Sequence, residues 1–331
     1  MEKFVKELFT EEILKKTASL YGLTKEELKP VGGFENYIYG FDKEEKSYIA
    51  RISHSSHRTI DEVKSEMDFL YYLARNGANV SMPIYTLRNQ LVEQIDCRDG
   101  SYFIVCAFTK AEGEAPSRQS ATDKLYYNYG KTIGMFHRLT KDYKESEGIK
   151  RRFTWDEDLI IKNAHRYLPK EDEIILKRLN EVVASIKEIE THKDNFGLIH
   201  TDVHFGNFFV KDDQLTVFDF DDCAYHYFAS DIAIALYYLI YMVKAEEQYD
   251  LANRLMANFM KGYLEENNLP KKDYLTIPFF LKLRELILYI VIHRTLNVKE
   301  NRFAQVFINR YRDRIINNIP LIDLDFEKYY I

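Results

Sequence analysis

The sequence predicts an α+β protein in two parts: a small antiparallel-sheet lobe over residues 1–106 and a larger, mainly helical lobe over 107–331. Three observations predict it. Short β-prone runs separated by glycine and polar turns are concentrated in the first hundred residues, with one strong helical pattern among them. From Ala121 onward, apolar residues recur at helical spacing through nearly all of the chain. The exception is itself regular: apolar runs at 208–210 and 215–218 flank Lys211-Asp212-Asp213-Gln214, which reads as two antiparallel strands joined by a turn.

A chain of 331 residues is long enough for about two domains, each burying its own core. With 46% hydrophobic and 30% charged residues, the composition is that of a globular protein and not of a disordered one. A net charge of -6 and the lack of a long basic run argue against nucleic acid as a partner. The first sixteen residues are amphipathic and mixed in charge, unlike a secretory signal, and the apolar run at 286–292 is too short for a membrane span. Cys97, Cys106 and Cys223 are too few and too scattered for a disulfide framework or a metal knuckle. A cytoplasmic location without membrane attachment is expected.

In chain order, residues 1–29 carry two short helical patterns, the second start marked by a capping-box pair, Thr24 and Glu27. Gly32 and Gly33 then form a turn between β-prone runs; glycines let backbone amides approach phosphates, although an ordinary β-turn has the same appearance. A strand at 47–52 follows. The helix over 58–76 aligns Ile60, Val63, Met67, Leu70 and Leu73 on one face and stops at Asn76-Gly77. Runs at 87–92 and 101–106 read as further strands. Gly130 and Gly134, within a helix ending near Leu139, invite close approach of another element. Residues 151–156, with the single Trp beside two arginines, are a weak candidate for substrate contact or a packed loop. Helices are expected over 170–192, from Asp231 through 239, and over 248–265, 276–297 and 302–317.

The 208–218 hairpin carries the chemistry. Asn207 precedes its first strand and Asp219 follows its second, so the turn brings an amide oxygen beside a carboxylate. Hard cations such as Mg2+ take oxygen ligands of this kind, finishing their shell with phosphate and water. Asp202, in the loop entering the hairpin, is free to accept a hydroxyl proton and aim that oxygen at phosphorus. His200 reads as a brace for this catalytic loop.

The run His200-Thr201-Asp202-Val203-His204-Phe205-Gly206-Asn207, followed by Asp219-Phe220-Asp221-Asp222, resembles the H-x-D-x-x-x-x-N catalytic loop and metal-binding Asp of the aminoglycoside phosphotransferase-like kinases. This superfamily includes aminoglycoside, choline and homoserine kinases, and the Asp-Phe-Asp-Asp run is most similar to its bacterial stress-response branch. The resemblance implies a bilobal protein-kinase-like fold with ATP between the lobes. It places Arg51 where many members have a phosphate-binding Lys, and Glu66 as its helix partner. It also implies a hinge after Cys106, with backbone groups at Ala107 and Thr109 meeting adenine and Ile49, Phe209 and Phe218 sandwiching the base. Asp231 would brace the catalytic loop.

The expected function is an ATP- and Mg2+-dependent phosphotransferase acting on a hydroxylated small molecule. A Ser/Thr protein kinase of the stress-response type, with a protein hydroxyl as acceptor, is the runner-up. A pseudokinase-like regulatory protein would be expected to have lost one of Asp202, Asn207 or Asp219, all of which are present. Metal-dependent hydrolysis built on His200-x-Asp202-x-His204 is a further reading, set back by the scatter of the other histidines.

Overall fold

The computed structural model describes residues 3–33 and 35–330. The chain gathers into two compact units, one of Met1–Gly113, Tyr143–Arg152 and Thr216–Asp221, the other of Glu114–Asp142, Phe153–Leu215 and Asp222–Ile331. The units interleave in sequence and are not divided by one cut.

The first unit opens with α1 (Lys3–Leu8) and α2 (Glu11–Leu20), then strands β1 (Lys29–Gly32), β2 (Tyr37–Lys43) and β3 (Lys46–His54), helix α3 (Ile60–Arg75), and strands β4 (Glu93–Asp96) and β5 (Tyr102–Thr109). The strands form one antiparallel sheet in the order β1-β2-β3-β5-β4. Glu44 and Glu45, both at positive φ (51° and 63°), make a two-residue turn whose twist suits the strands it joins. Side-chain alternation along β3 then assigns the faces. Ala50 and Ile52 are fully buried in one cluster with Val5 of α1 and Ile13, Ala18 and Leu20 of α2. Arg51 is therefore turned to the opposite face, where it meets α3.

Helix α3 starts at a capping box: Thr59 N–H donates to Glu62 Oε2 (2.7 Å) and Glu62 N–H to Thr59 Oγ1 (3.3 Å). Its buried stripe of Val63, Met67, Leu70 and Leu73 also carries Glu66. The strand expected at 87–92 is absent. Asn89 adopts a left-handed φ of 57°, Thr86 N–H closes on Gln90 O at 2.9 Å, and extended pairing begins only at Glu93. Strand β5 continues past Cys106 to Thr109.

The second unit contains α4 (Asp123–Thr140), the short α5 (Leu159–Lys162) and α6 (Ala164–Tyr167), α7 (Glu173–Lys187), β6 (Phe196–Ile199) and β7 (Phe208–Lys211). Along β8 (Gln214–Val217) the chain passes into the first unit, returning for β9 (Ala224–Tyr227) and helices α8 (Phe228–Ile240), α9 (Ala245–Glu266), α10 (Lys271–Tyr274), α11 (Ile277–Thr295) and α12 (Arg302–Ile316). β6 pairs with β9, and β7 with β8 through a two-residue turn of Asp212 and Asp213 at φ 50° and 64°. Asp231 does not open α8 but lies one turn inside it, because the helix starts at Phe228 directly after β9.

The glycines of α4 serve the close approach their spacing suggests. A Cβ at Gly130 would stand 1.9 Å from Phe259 O of α9, and one at Gly134 2.6 Å from Tyr263 O. Gly262 returns the contact, 2.0 Å from Tyr127 O of α4. Backbone therefore packs on backbone at three points. Among the described residues no helix is long and apolar enough to cross a membrane.

Candidate active site

In the second unit, the loop 200–207 joins β6 to β7 and is shaped by Asp231. This fully buried carboxylate accepts Thr201 N–H at Oδ1 (2.8 Å) and His200 N–H at Oδ2 (3.3 Å), and His137 Nε2 lies 3.2 Å from Oδ2. The bracing suits the strain it restrains: Thr201 sits at φ 64°, a conformation that costs a non-glycine residue about 1–3 kcal/mol. Thr201 Oγ1 also donates to Asp222 O at 2.6 Å. His200 is buried, and its Nδ1 accepts the Asp202 N–H at 3.3 Å, which is the geometry of a brace.

Both oxygens of Asp202 are engaged. Asn207 Nδ2 donates to its backbone O (2.9 Å) and to Oδ2 (3.2 Å), which leaves the amide Oδ1 outside these bonds. His204 Nδ1 accepts the Gly206 N–H at 2.9 Å, so in the neutral ring the proton sits on Nε2, 3.4 Å from Asp202 Oδ2. Arg284 of α11 donates from Nη2 to Asp202 Oδ1 and to the Tyr238 hydroxyl (2.5 Å), and lies over the Tyr238 ring at 4.9 Å. Burial pushes the Asp202 carboxyl up, but Arg284, then His204 and His200, outweigh it and hold it at about 2. The result is a carboxylate that is ionised at neutral pH. Arg284 was not legible in the sequence: it lies 82 residues from Asp202, and no spacing rule connects them.

In the first unit, Arg51 grips Glu66 with both arms, Nη1 to Oε1 at 2.8 Å and Nη2 to Oε2 at 2.5 Å, and both side chains are sealed from solvent. Asp221 adds a second carboxylate, with Oδ1 3.7 Å from Arg51 Nη1 and 3.4 Å from Arg58 Nε, and Oδ2 2.7 Å from His57 Nε2. Arg152 donates to its backbone oxygen. Burial would raise this carboxyl, yet Arg58, Arg51 and His57 hold it well below the usual range. Sequence reading noted Asp221 only as part of the Asp-Phe-Asp-Asp run; its cations come from three separate segments. Arg152 also donates to Glu62 O at 2.6 Å, so it is structural, and in the other unit Trp155 is buried and stacked on His226 at 5.3 Å. Residues 151–156 are thus a packed loop.

Gly32 and Gly33 adopt φ of 148° and 126°, and a Cβ at Gly33 would fall 1.9 Å from Asn36 O. The turn requires glycine there. Phe34 lies outside the described residues. Ile49 is half-buried on β3. Ala107 and Thr109 lie within β5, where Ala107 O accepts Ile84 N–H and Thr109 N–H donates to Met82 O, both at 2.9 Å; these groups already have partners inside the unit. Phe218 is half-buried, and Asp219 is exposed at a left-handed φ of 65°. Phe209, in the second unit, is half-buried. Among the described residues no group of three or more His, Cys, Asp or Glu forms a cage for a metal ion. Asn207 in the second unit offers an amide oxygen and Asp219 in the first a carboxylate, each of the oxygen type that a hard cation such as Mg2+ takes.

The sequence model of the APH family, described as a phosphotransferase enzyme family, matches residues 27–264. Amicoumacin kinase of Bacillus subtilis (strain 168) is 31% identical over 330 residues, covering 98% of each chain. A solved structure of amicoumacin kinase hAmiN in complex with AMP-PNP, Ca2+ and Ami is similar at 32% identity, with a TM-score of 0.93 and 99% of each chain covered. The microcompartment-associated aminopropanol kinase has a TM-score of 0.73 at 19% identity over 93% of this chain and 95% of its own, a likeness of fold.

Proposed function

This chain belongs to the APH phosphotransferase enzyme family and is a kinase, and from that premise we propose that it moves the γ-phosphate of ATP to a hydroxyl of a small, amicoumacin-like molecule. The observation that carries this reading is Asp202: an ionised carboxylate held by Arg284, Asn207 and the Asp231-braced loop, as a group that must point at an acceptor hydroxyl requires. Asp202 orients the hydroxyl and takes its proton as the bond to phosphorus forms. Asn207 and Asp219 are the residues that would hold Mg2+, whose charge offsets that of the transferring phosphoryl group. Arg51, fixed by Glu66, and the amides of Gly32 and Gly33 serve the phosphates, while Ile49, Phe209 and Phe218 serve the base.

The test is ATP consumption with Mg2+ over a panel of amicoumacin, 1-amino-2-propanol, choline, homoserine, aminoglycosides and a generic Ser/Thr protein, with Asp202→Asn alongside. Transfer to a small acceptor is expected to fall about 10³-fold in the variant, with AMP-PNP affinity within about twofold of the parent. Undiminished turnover by Asp202→Asn, or failure of the parent to bind AMP-PNP with Mg2+, would overturn the assignment.

A further inference from the structure

Asp219 is exposed at a left-handed φ of 65°, a conformation that a non-glycine residue keeps only where its surroundings over-determine it. Within the first unit, the residues that follow it are held on all sides. Phe220 is 1% exposed and meets the Phe69 ring of α3 edge-on at 6.1 Å. The Asp221 carboxylate is surrounded by Arg51, Arg58 and His57, and its backbone oxygen accepts from Arg152 Nη2. Arg152 is 3% exposed, and its other arm, Nη1, donates to Glu62 O in the first turn of α3 at 2.6 Å. Charge-assisted bonds of this kind are the strong ones, and a bond to a carbonyl fixes the main chain itself. The segment that ends in Arg152 is anchored on the same helix: Tyr143 Oη donates to Asp68 Oδ2 at 2.7 Å, Ser146 N–H donates to that oxygen at 3.2 Å, and Lys150 pairs with Asp61. One buried guanidinium therefore spans from the helix that carries Glu66 to the backbone two residues after Asp219.

We infer that Arg152 is a positioning residue for Asp219: by tying Asp221 O to α3, it holds the strained main chain that aims the Asp219 carboxylate. Arg152 supplies no ligand of its own and acts through the backbone. Its effect therefore falls on the part of nucleotide affinity that depends on metal, because two ligands that meet at one site strengthen each other by the same factor. The inference rests on the reading of Asp219 as a metal ligand only in naming what the carboxylate is aimed at. Restraint of residues 219–221 can be measured without metal.

Calorimetric titration gives the AMP-PNP affinity with Mg2+ and with EDTA for the parent, Arg152→Met, Arg152→Lys, Asp219→Asn and Tyr143→Phe. Hydrogen–deuterium exchange over residues 218–223 is followed in the metal-free chains, and thermal unfolding reports whether each is folded. Mg2+ is expected to tighten AMP-PNP about tenfold in the parent and only about twofold in Asp219→Asn and Arg152→Met. Arg152→Lys, which replaces the fork by a single ammonium, should keep part of the gain. Affinity in EDTA should stay within about twofold of the parent, since Arg51 keeps its bond to Glu66. Exchange over 218–223 should rise about tenfold in Arg152→Met. Tyr143→Phe loosens the same segment elsewhere, so it should lower the unfolding temperature and leave the Mg2+ gain and the exchange unchanged. A folded Arg152→Met with the parental gain and exchange overturns the inference, as does an equal loss in Tyr143→Phe. It also fails if Asp219→Asn keeps the gain that Arg152→Met loses. If Mg2+ adds nothing in the parent, the metal reading of Asp219 falls, and the exchange comparison alone decides whether Arg152 holds the segment.

Discussion

Each unit of this protein pairs an arginine with a carboxylate, in opposite surroundings. Arg51 and Glu66 meet in a bidentate bond at 4% and 0% side-chain exposure, inside a sheet-and-helix core. Arg284 and Asp202 share one nitrogen and one oxygen at 17% and 21% exposure, with donors of the guanidinium still unfilled. A sealed bidentate pair fixes the position of a strand relative to a helix, although Arg51 Nε, like Arg284 Nε, is buried without a partner among the described residues. A partly open pair stays within reach of solvent. The residue types are the same, and what separates the two pairs is geometry and exposure.

The sharpest way to break this comparison is to remove one partner on each side. Glu66→Gln leaves Arg51 buried without its bidentate partner and is expected to destabilise the protein by about 3–5 kcal/mol in urea unfolding, with Arg51→Met plus Glu66→Leu regaining most of the loss. Arg284→Met, where water already reaches the pair, should lose only about 1–3 kcal/mol. Equal losses would erase the distinction.

Packing in the second unit supplies the next test. Gly130→Ala places a methyl group against the Phe259 carbonyl, where the α4 and α9 backbones must separate, and should destabilise by about 3 kcal/mol. If α9 instead yields without loss, the helix pair is less rigid than its backbone contacts indicate. Thermal unfolding decides it.

The smallest effect concerns protons. Burial pushes His226 down to about 3, so the folded chain keeps it neutral where the unfolded chain, with an ordinary His near 6.5, takes up a proton. The stability this group contributes is complete above about pH 6.5 and declines as pH falls from there toward 3, by about 1.4 kcal/mol per pH unit at the steepest. His226→Phe should remove one proton's share of that slope between pH 6 and 4.5, whatever it does to stability at neutral pH. An unchanged slope would show that the ring is protonated in the fold.

Local signals carried much of this molecule. The pairing of Arg51 with Glu66 was implied by the family resemblance and is present in the structure, and the hairpin at 208–217 followed from two apolar runs around four polar residues. Helical glycines foretold a close approach on α4, though not that α9 would make it. The misjudged strand at 87–92 shows the limit of such signals: β-prone residues there are overruled by a left-handed Asn89 that closes a turn.

By itself the sequence determined the α+β architecture, the loop that carries Asp202 and Asn207 ahead of a hairpin, and a phosphotransferase reading, because each depends on periodicity or on motifs within about twenty residues. Only the tertiary structure decided that Arg284 and Tyr238 stand over Asp202, and that His57, Arg58 and Arg152 converge on Asp221. Those charges come from distant segments, and an ion pair has no sequence period. It exists because packing of whole helices and strands brings its members to within hydrogen-bonding distance, and that is settled only once the chain has folded.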